Sequence, residues 1–154
     1  MPDAQQNVEI TAAPLQTASD PKRERLRFSD FVFSRSRGGH VVAEVELEWA
    51  PGMRYRGRAD GQSSPMGDLR IAADAAIRAL VNFSKGELDF ELIGIKTVRA
   101  FDANLIIVSV VLKDPVSPAR LLGAYLADGE MPRGAALAVL NATNRILGNF
   151  IATR

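Results

Sequence analysis

Two short acidic segments stand immediately before runs of apolar residues at helical spacing. One covers residues 60–68 and carries Asp60 and Asp68; the other covers 128–134 and opens on Asp128. The first turn of a helix leaves backbone N–H groups without partners, and those groups can hold an anion such as a carboxylate. A small amino acid or carboxylate suits that electrostatics. Ordinary capped loops have the same composition, with Ser64 or Asp68 as N-cap, so both readings stand at this level. Asn141, Asn144 and Arg145 fall on the polar side of the last helical run, free to meet water, a second helix or a ligand.

Other chemistries find little support. His40 is the only histidine and there is no cysteine, so multi-histidine and thiolate metal sites, disulfides and thiol nucleophiles are excluded. The serines have no neighbouring base and no nucleophile-elbow sequence. The glycines at 38–39 and 57–61 lack phosphate-loop spacing and read as turns. No pair of carboxylates stands out for acid–base work. The expectation is a non-enzymatic chain with no cofactor and no metal. Glu44, Glu46 and Glu48 alternate along one strand and Arg54, Arg56 and Arg58 along the next. They make either a solvent-facing charge ladder or a polar site that holds an anion.

These residues must be positioned by a small set of elements. Val41, Ala43, Val45, Leu47 and Trp49 alternate with polar residues in the clearest strand of the chain. A strand over 26–34 precedes it, with a phase change near Ser29-Asp30 that predicts a bulge. Pro51-Gly52 predicts a tight turn into a strand over 53–59. Leu69, Ala73, Ala76, Leu80 and Phe83 form one helical stripe and Arg70, Asp74, Arg78 and Asn82 the opposite side, with Asp74 and Arg78 a favourable four-residue pair. A strand over 88–98 with a phase change near Leu92-Ile93, a turn over 102–104, a strand over 105–112, a strand over 120–127 and a helix over 132–150 follow. The 105–112 strand is apolar on both faces and is expected to be buried on both.

The order strand, strand, strand, helix thus occurs twice, over 26–86 and 88–151. Gly57 falls on Gly123, Ala72-Ala73 on Ala135-Ala136, and Ile77 on Leu140. The expected fold is α+β: a duplicated β-β-β-α unit with two antiparallel three-stranded sheets, two helices and a pseudo-two-fold, all in one domain over 24–154. Residues 1–23 read as a disordered tail closed by a basic cluster at 22–25. The copies differ in one respect. Where the first shows Glu44, Glu46, Arg56 and Arg58, the second shows Ser109, Val111, Leu122 and Ala124. Ile107, Val111, Leu122 and Ala124 would form an exposed apolar patch, which soluble monomers rarely tolerate. A second copy of the chain is the expected cover.

The succession Gly123, Asp128, Ala135-Ala136 and Asn144-Arg145 resembles the C-terminal regulatory domain of isopropylmalate and citramalate synthases, over roughly residues 26–150. That family has a glycine in the last strand, an acidic residue in the loop, a small-residue pair early in the helix and Asn-Arg near its end. The resemblance implies a dimeric, non-catalytic domain that binds a branched-chain amino acid near its strand-to-helix loops. It points to Gly57, Asp60 and Asp68 in the first copy and to Gly123, Asp128, Ala135, Asn144 and Arg145 in the second as ligand-binding residues. The chain departs from the pattern at Gly61-Gln62-Ser63-Ser64, in lacking Asn-Arg at the end of its first helix, and in having a short tail where that family carries its barrel enzyme.

A formal net charge of +1 offers no field to attract nucleic acid or anionic lipid. No apolar run approaches the ~18 residues of a membrane span. The opening residues lack the basic start and apolar core of a secretory signal, so a cytoplasmic protein is expected. The leading expectation is a homodimeric regulatory domain that binds a small ligand. The alternatives are a protein-interaction module docking through the apolar second hairpin and, more remotely, an RNA-binding domain.

Overall fold

Alternation decides the first sheet. Val41, Ala43, Val45 and Leu47 turn inward from β2 (His40–Glu48), which lies between β1 (Arg27–Arg35) and β3 (Arg54–Gln62) in an antiparallel sheet. A computed structural model describes residues 26–50 and 52–153. The tail expected over 1–23, its basic junction and Pro51 of the expected turn lie outside the described residues. After β3 comes α1 (Pro65–Phe83), and the same order repeats: β4 (Phe90–Ala100), β5 (Ala103–Leu112), β6 (Ala119–Ala127) and α2 (Met131–Ala152). β5 is central in the second antiparallel sheet. The fold is the duplicated β-β-β-α arrangement expected from the sequence.

Both expected bulges are present and occupy equivalent places. In β1 the register shifts between Phe28 and Asp30, so Phe28, Phe31 and Phe33 all lie opposite inward residues of β2: Leu47, Val45 and Ala43. In β4 it shifts between Leu92 and Gly94, which sets Phe90, Leu92 and Ile95 opposite Leu112, Val110 and Val108. One extra residue per strand repairs the broken alternation and keeps Phe28, Phe31 and Phe33 in β1 and Phe90, Leu92 and Ile95 in β4 on the core face.

Each helix seats on its sheet over a glycine. A Cβ on Gly57 would lie 2.8 Å from the Arg78 carbonyl carbon and closer still to Ala75 O and Ala79 N; one on Gly123 would lie 2.7 Å from the Ala142 Cβ and closer to Ala138 O and Ala142 N. The same backbone approach in both halves fixes their correspondence: residue n of α1 matches n + 63 of α2. Small residues line the contact, with Ala72, Ala75, Ala76 and Ala79 in α1 and Ala135, Ala138 and Ala142 in α2 all buried. The helices also pack against one another. Each then reaches the first strand of the other half, α1 against β4 and α2 against β1. At one end Phe83 meets Trp49, Tyr55 and Phe150 edge-on, with ring centroids 5.3–6.0 Å apart.

The outer face of the first sheet is the charge ladder. Glu44, Glu46 and Glu48 stand directly opposite Arg58, Arg56 and Arg54. Glu46 is 7% exposed and its carboxylate takes bonds from the Ser29 hydroxyl at 2.9 Å and Arg56 Nε at 3.0 Å. The Ser29 hydrogen bond first, then Arg56, hold that carboxyl below its ordinary value.

Three expectations are corrected. β3 runs three residues past Ala59, because Asp60, Gly61 and Gln62 pair with Val42, Val41 and His40. The β4–β5 turn is Phe101-Asp102, both at positive φ (54° and 59°), and Asn104 belongs to the strand opposite Arg99; two left-handed residues match the twist of a two-residue hairpin. Finally, β5 is buried on one face only. Ile106, Val108, Val110 and Leu112 are covered, while Leu105, Ile107 and Val111 are half-buried, because the helices pack on a single face of the sheet.

Candidate functional site

The strand-to-helix junction of the first half is self-occupied. Only Ser63 and Ser64 separate β3 from α1. Ser64 is the N-cap, its hydroxyl accepting from Gly67 N at 2.9 Å. Asp68 lies in the first turn, where one carboxylate oxygen accepts from Ser63 Oγ and Ser64 N and the other from Arg35. The positive end of α1 therefore already holds a carboxylate of its own chain. Asp60 sits on the exposed side of β3, 2.8 Å from His40 Nε2.

The second junction is more open. Asp128, Gly129 and Glu130 connect β6 to α2, and no side chain caps the helix. A recess of about 90 Å³ lies there, flanked by the carboxylates of Asp128 and Glu130 and by Arg133. The remaining candidates are scattered. Gly57 and Gly123 lie beneath the helices, where their role is close packing. Ala135 is buried in the core. Asn144 and Arg145 are exposed in the C-terminal half of α2, about 20 Å along the helix from its start at about 1.5 Å per residue. Within this half, Asp128 and the Asn144-Arg145 pair are not brought together.

The outer face of the second sheet carries the expected apolar residues. By register, Ile107 stands between Lys96 and Ala124, Ser109 between Gly94 and Leu122, and Leu105 between Val98 and Leu126. Leu122 is 70% exposed. The glycine correspondence matches Glu44, Glu46 and Glu48 to Ile107, Ser109 and Val111, a shift of one alternate position from the sequence alignment.

A cleft of about 620 Å³ lies elsewhere, between α1 and β4. Sequence reasoning placed Arg70, Asp74, Arg78 and Asn82 on the polar side of α1 and took Asp74–Arg78 as a stabilising pair. In the fold, spacing by four lines these residues along one wall. Arg58 comes from β3, and Ile77, Val81, Phe90 and Leu92 supply the apolar part. Much of the polar lining is already engaged. Arg78 donates to the Arg58 carbonyl at 2.7 Å, Arg58 pairs with Glu44, Glu91 pairs with Lys113, and the Asn82 amide donates to the Arg56 carbonyl. Arg70 and Asp74 make no hydrogen bond or ion pair among the described residues. Asp74 is half-buried, and burial pushes its carboxyl above its ordinary value against the pull of Arg70 and Arg78.

The matching groove of the other half has different chemistry. The 63-residue offset sets Leu137 against Asp74, Asn141 against Arg78 and Arg145 against Asn82, and Ala124 takes the place of Arg58. Arg133, the counterpart of Arg70, lies with its guanidinium 5.2 Å from the Phe28 ring centroid. The signal for the cleft was thus in the sequence, as a difference between two aligned helices. Comparison with protein-family models and with curated protein sequences gives no match to this chain.

Proposed function

We propose that the chain is a non-catalytic, cytoplasmic regulatory domain that works as a homodimer and binds an amino acid or another small carboxylate. The observation that carries this reading is the contrast between the two outer sheet faces. One is a closed ladder of ion pairs; the other, around Ile107, Leu122 and Leu126, is apolar and exposed in the single chain. A surface of that kind costs solubility unless it is covered, and a two-fold pairing of identical faces covers it in both copies at once. The cleft beside α1 supports the ligand-binding part, because its size lies in the range of small-molecule sites and its polar groups converge over apolar side chains. The resemblance to amino-acid-responsive regulatory domains supports the same part.

Light scattering at micromolar concentration tests the dimer. The wild type is expected at twice the chain mass and Leu122→Glu at the chain mass; a monomeric wild type overturns the reading. A thermal-shift screen of amino acids and small carboxylates tests the ligand, since binding to the native state raises Tm.

A second reading is a protein-interaction module docking through the apolar hairpin. It is favoured by Phe101 and Val116, 90% and 91% exposed in the turns at the two ends of β5. Co-purification of a stoichiometric companion with the tagged chain, lost on Leu122→Glu, would favour it over the homodimer.

A further inference from the structure

We infer that the cleft between α1 and β4 is a binding site for an organic acid that has an apolar body and carries a hydrogen-bond donor, ammonium or hydroxyl, next to its carboxylate. The inference rests on the ligand-binding reading above and gives it a location and a chemistry.

Several polar groups on the cleft wall keep unused hydrogen-bonding capacity. Arg70 makes no hydrogen bond among the described residues, and Arg78 commits one nitrogen to the Arg58 carbonyl and keeps the rest of its guanidinium. They stand four residues before and after Asp74, so two cations flank one carboxylate on the same wall. Asp74 is half-buried yet accepts no hydrogen bond. Burying a carboxylate without a hydrogen-bond donor is costly even beside two cations, and a ligand donor relieves that cost. A guanidinium recognises carboxylate through a fork of N–H groups, so the anionic end belongs to Arg70 and Arg78 and the donor to Asp74. Phe90 and Leu92 offer the apolar body a surface.

The duplication sharpens the case. In the other half Leu137 replaces Asp74 and Asn141 replaces Arg78, Arg145 stands in place of Asn82, and Arg133, the counterpart of Arg70, lies over Phe28. That groove has lost the carboxylate and one of the two cations. Two halves that share bulges, seating glycines and helix packing have diverged in the groups that would bind a bifunctional ligand.

The test uses three acids with one carbon skeleton: 3-phenylpropionate, 3-phenyllactate and phenylalanine. Affinities are measured by calorimetry on the full chain and on Arg70→Gln, Asp74→Asn and Arg133→Gln. The two donor-bearing acids are expected to bind about ten-fold tighter than phenylpropionate, the worth of one hydrogen bond to a charged group. Arg70→Gln is expected to weaken all three by about ten-fold or more, Asp74→Asn to reduce the donor preference, because its amide oxygen is a weaker acceptor than a carboxylate, and Arg133→Gln to change nothing. No binding by any of the three at about 10 mM overturns the inference. So does a donor preference that is undiminished in Asp74→Asn. If amino acids or small carboxylates raise Tm equally in the wild type, Arg70→Gln and Asp74→Asn, the ligand-binding reading stands and the cleft alone is refuted. Near-wild-type melting of each unliganded variant shows that lost affinity reflects the cleft and not the fold.

Discussion

Gly57→Ala is the sharpest probe of how this fold is put together. The added Cβ would sit 2.8 Å from the Arg78 carbonyl carbon, against about 3.4 Å for ordinary contact, and nearer to Ala75 O and Ala79 N. These are helix backbone atoms, so no rotamer change relieves the clash. Helix α1 must retreat from β3 by roughly 1 Å. A radial gap of about that size forfeits a quarter to a half of each dispersion contact it opens, and overpacking of this kind costs about 1–3 kcal/mol. Alanine returns about 0.5–1 kcal/mol by restricting the unfolded chain. Because the clash is with helix backbone, we expect the upper part of that balance, a net loss of about 2 kcal/mol. At about 2–4 °C per kcal/mol for a chain of this size, Tm should fall by roughly 4–8 °C. Gly129→Ala is the control: nothing lies within 4 Å of its Cβ position, and its φ is outside the left-handed region. Thermal melts followed by circular dichroism decide the matter. A Gly57→Ala protein that melts with the control refutes the reasoning. Gly123→Ala should behave like Gly57→Ala, because the same approach recurs there. The double variant should lose about 4 kcal/mol, a large part of the roughly 5–15 kcal/mol that holds a domain folded.

The remaining predictions concern protons and caps. Glu46 has a folded-state pKa below its ordinary 4.5, so the stability it contributes is present above that value and lost as pH falls through the depressed one. Tm of the wild type should therefore drop below about pH 4.5, and Glu46→Gln should drop less steeply over the same range. Asp74 has the opposite sign: its folded-state pKa is raised above 3.8, so ionisation at neutral pH opposes folding. Asp74→Asn should raise Tm at pH 7 by about a degree or two, and the gain should vanish below about pH 3.8. Ser64→Ala removes the hydroxyl that caps α1 and should cost about 1 kcal/mol, or roughly 3 °C in a thermal melt.

How far these features could be read from residues alone depended on whether the signal was local. The alternation in β2 and the broken phase in β1 and β4 are properties of neighbouring residues, and the strands and bulges followed from them. The end of β3 did not. Asp60, Gly61 and Gln62 read as loop on composition, and only pairing with β2 makes them strand. The Phe101-Asp102 turn was hidden because phenylalanine rarely adopts positive φ, so the familiar turn formers Asp102 and Asn104 drew the boundary too late. The candidate glycines were found by aligning the copies, but their role emerged only with a helix lying on them. The cleft needed β4 to cross onto α1, a long-range placement that no window of sequence records. Its residues were already visible as a polar helix face, and a solvated face has the same appearance.

The crossed seating of the helices also bears on how such a chain could arise. Each helix borrows cover from the strand that opens the opposite unit, α1 from β4 and α2 from β1. A lone β-β-β-α segment would leave that flank wet. Two separate copies of one segment could trade strands across a true two-fold axis and close the same core. The present chain then has the form of an ancestral dimer whose subunits were joined end to end, after which each was free to drift: one toward a charged groove, the other toward a greasy sheet.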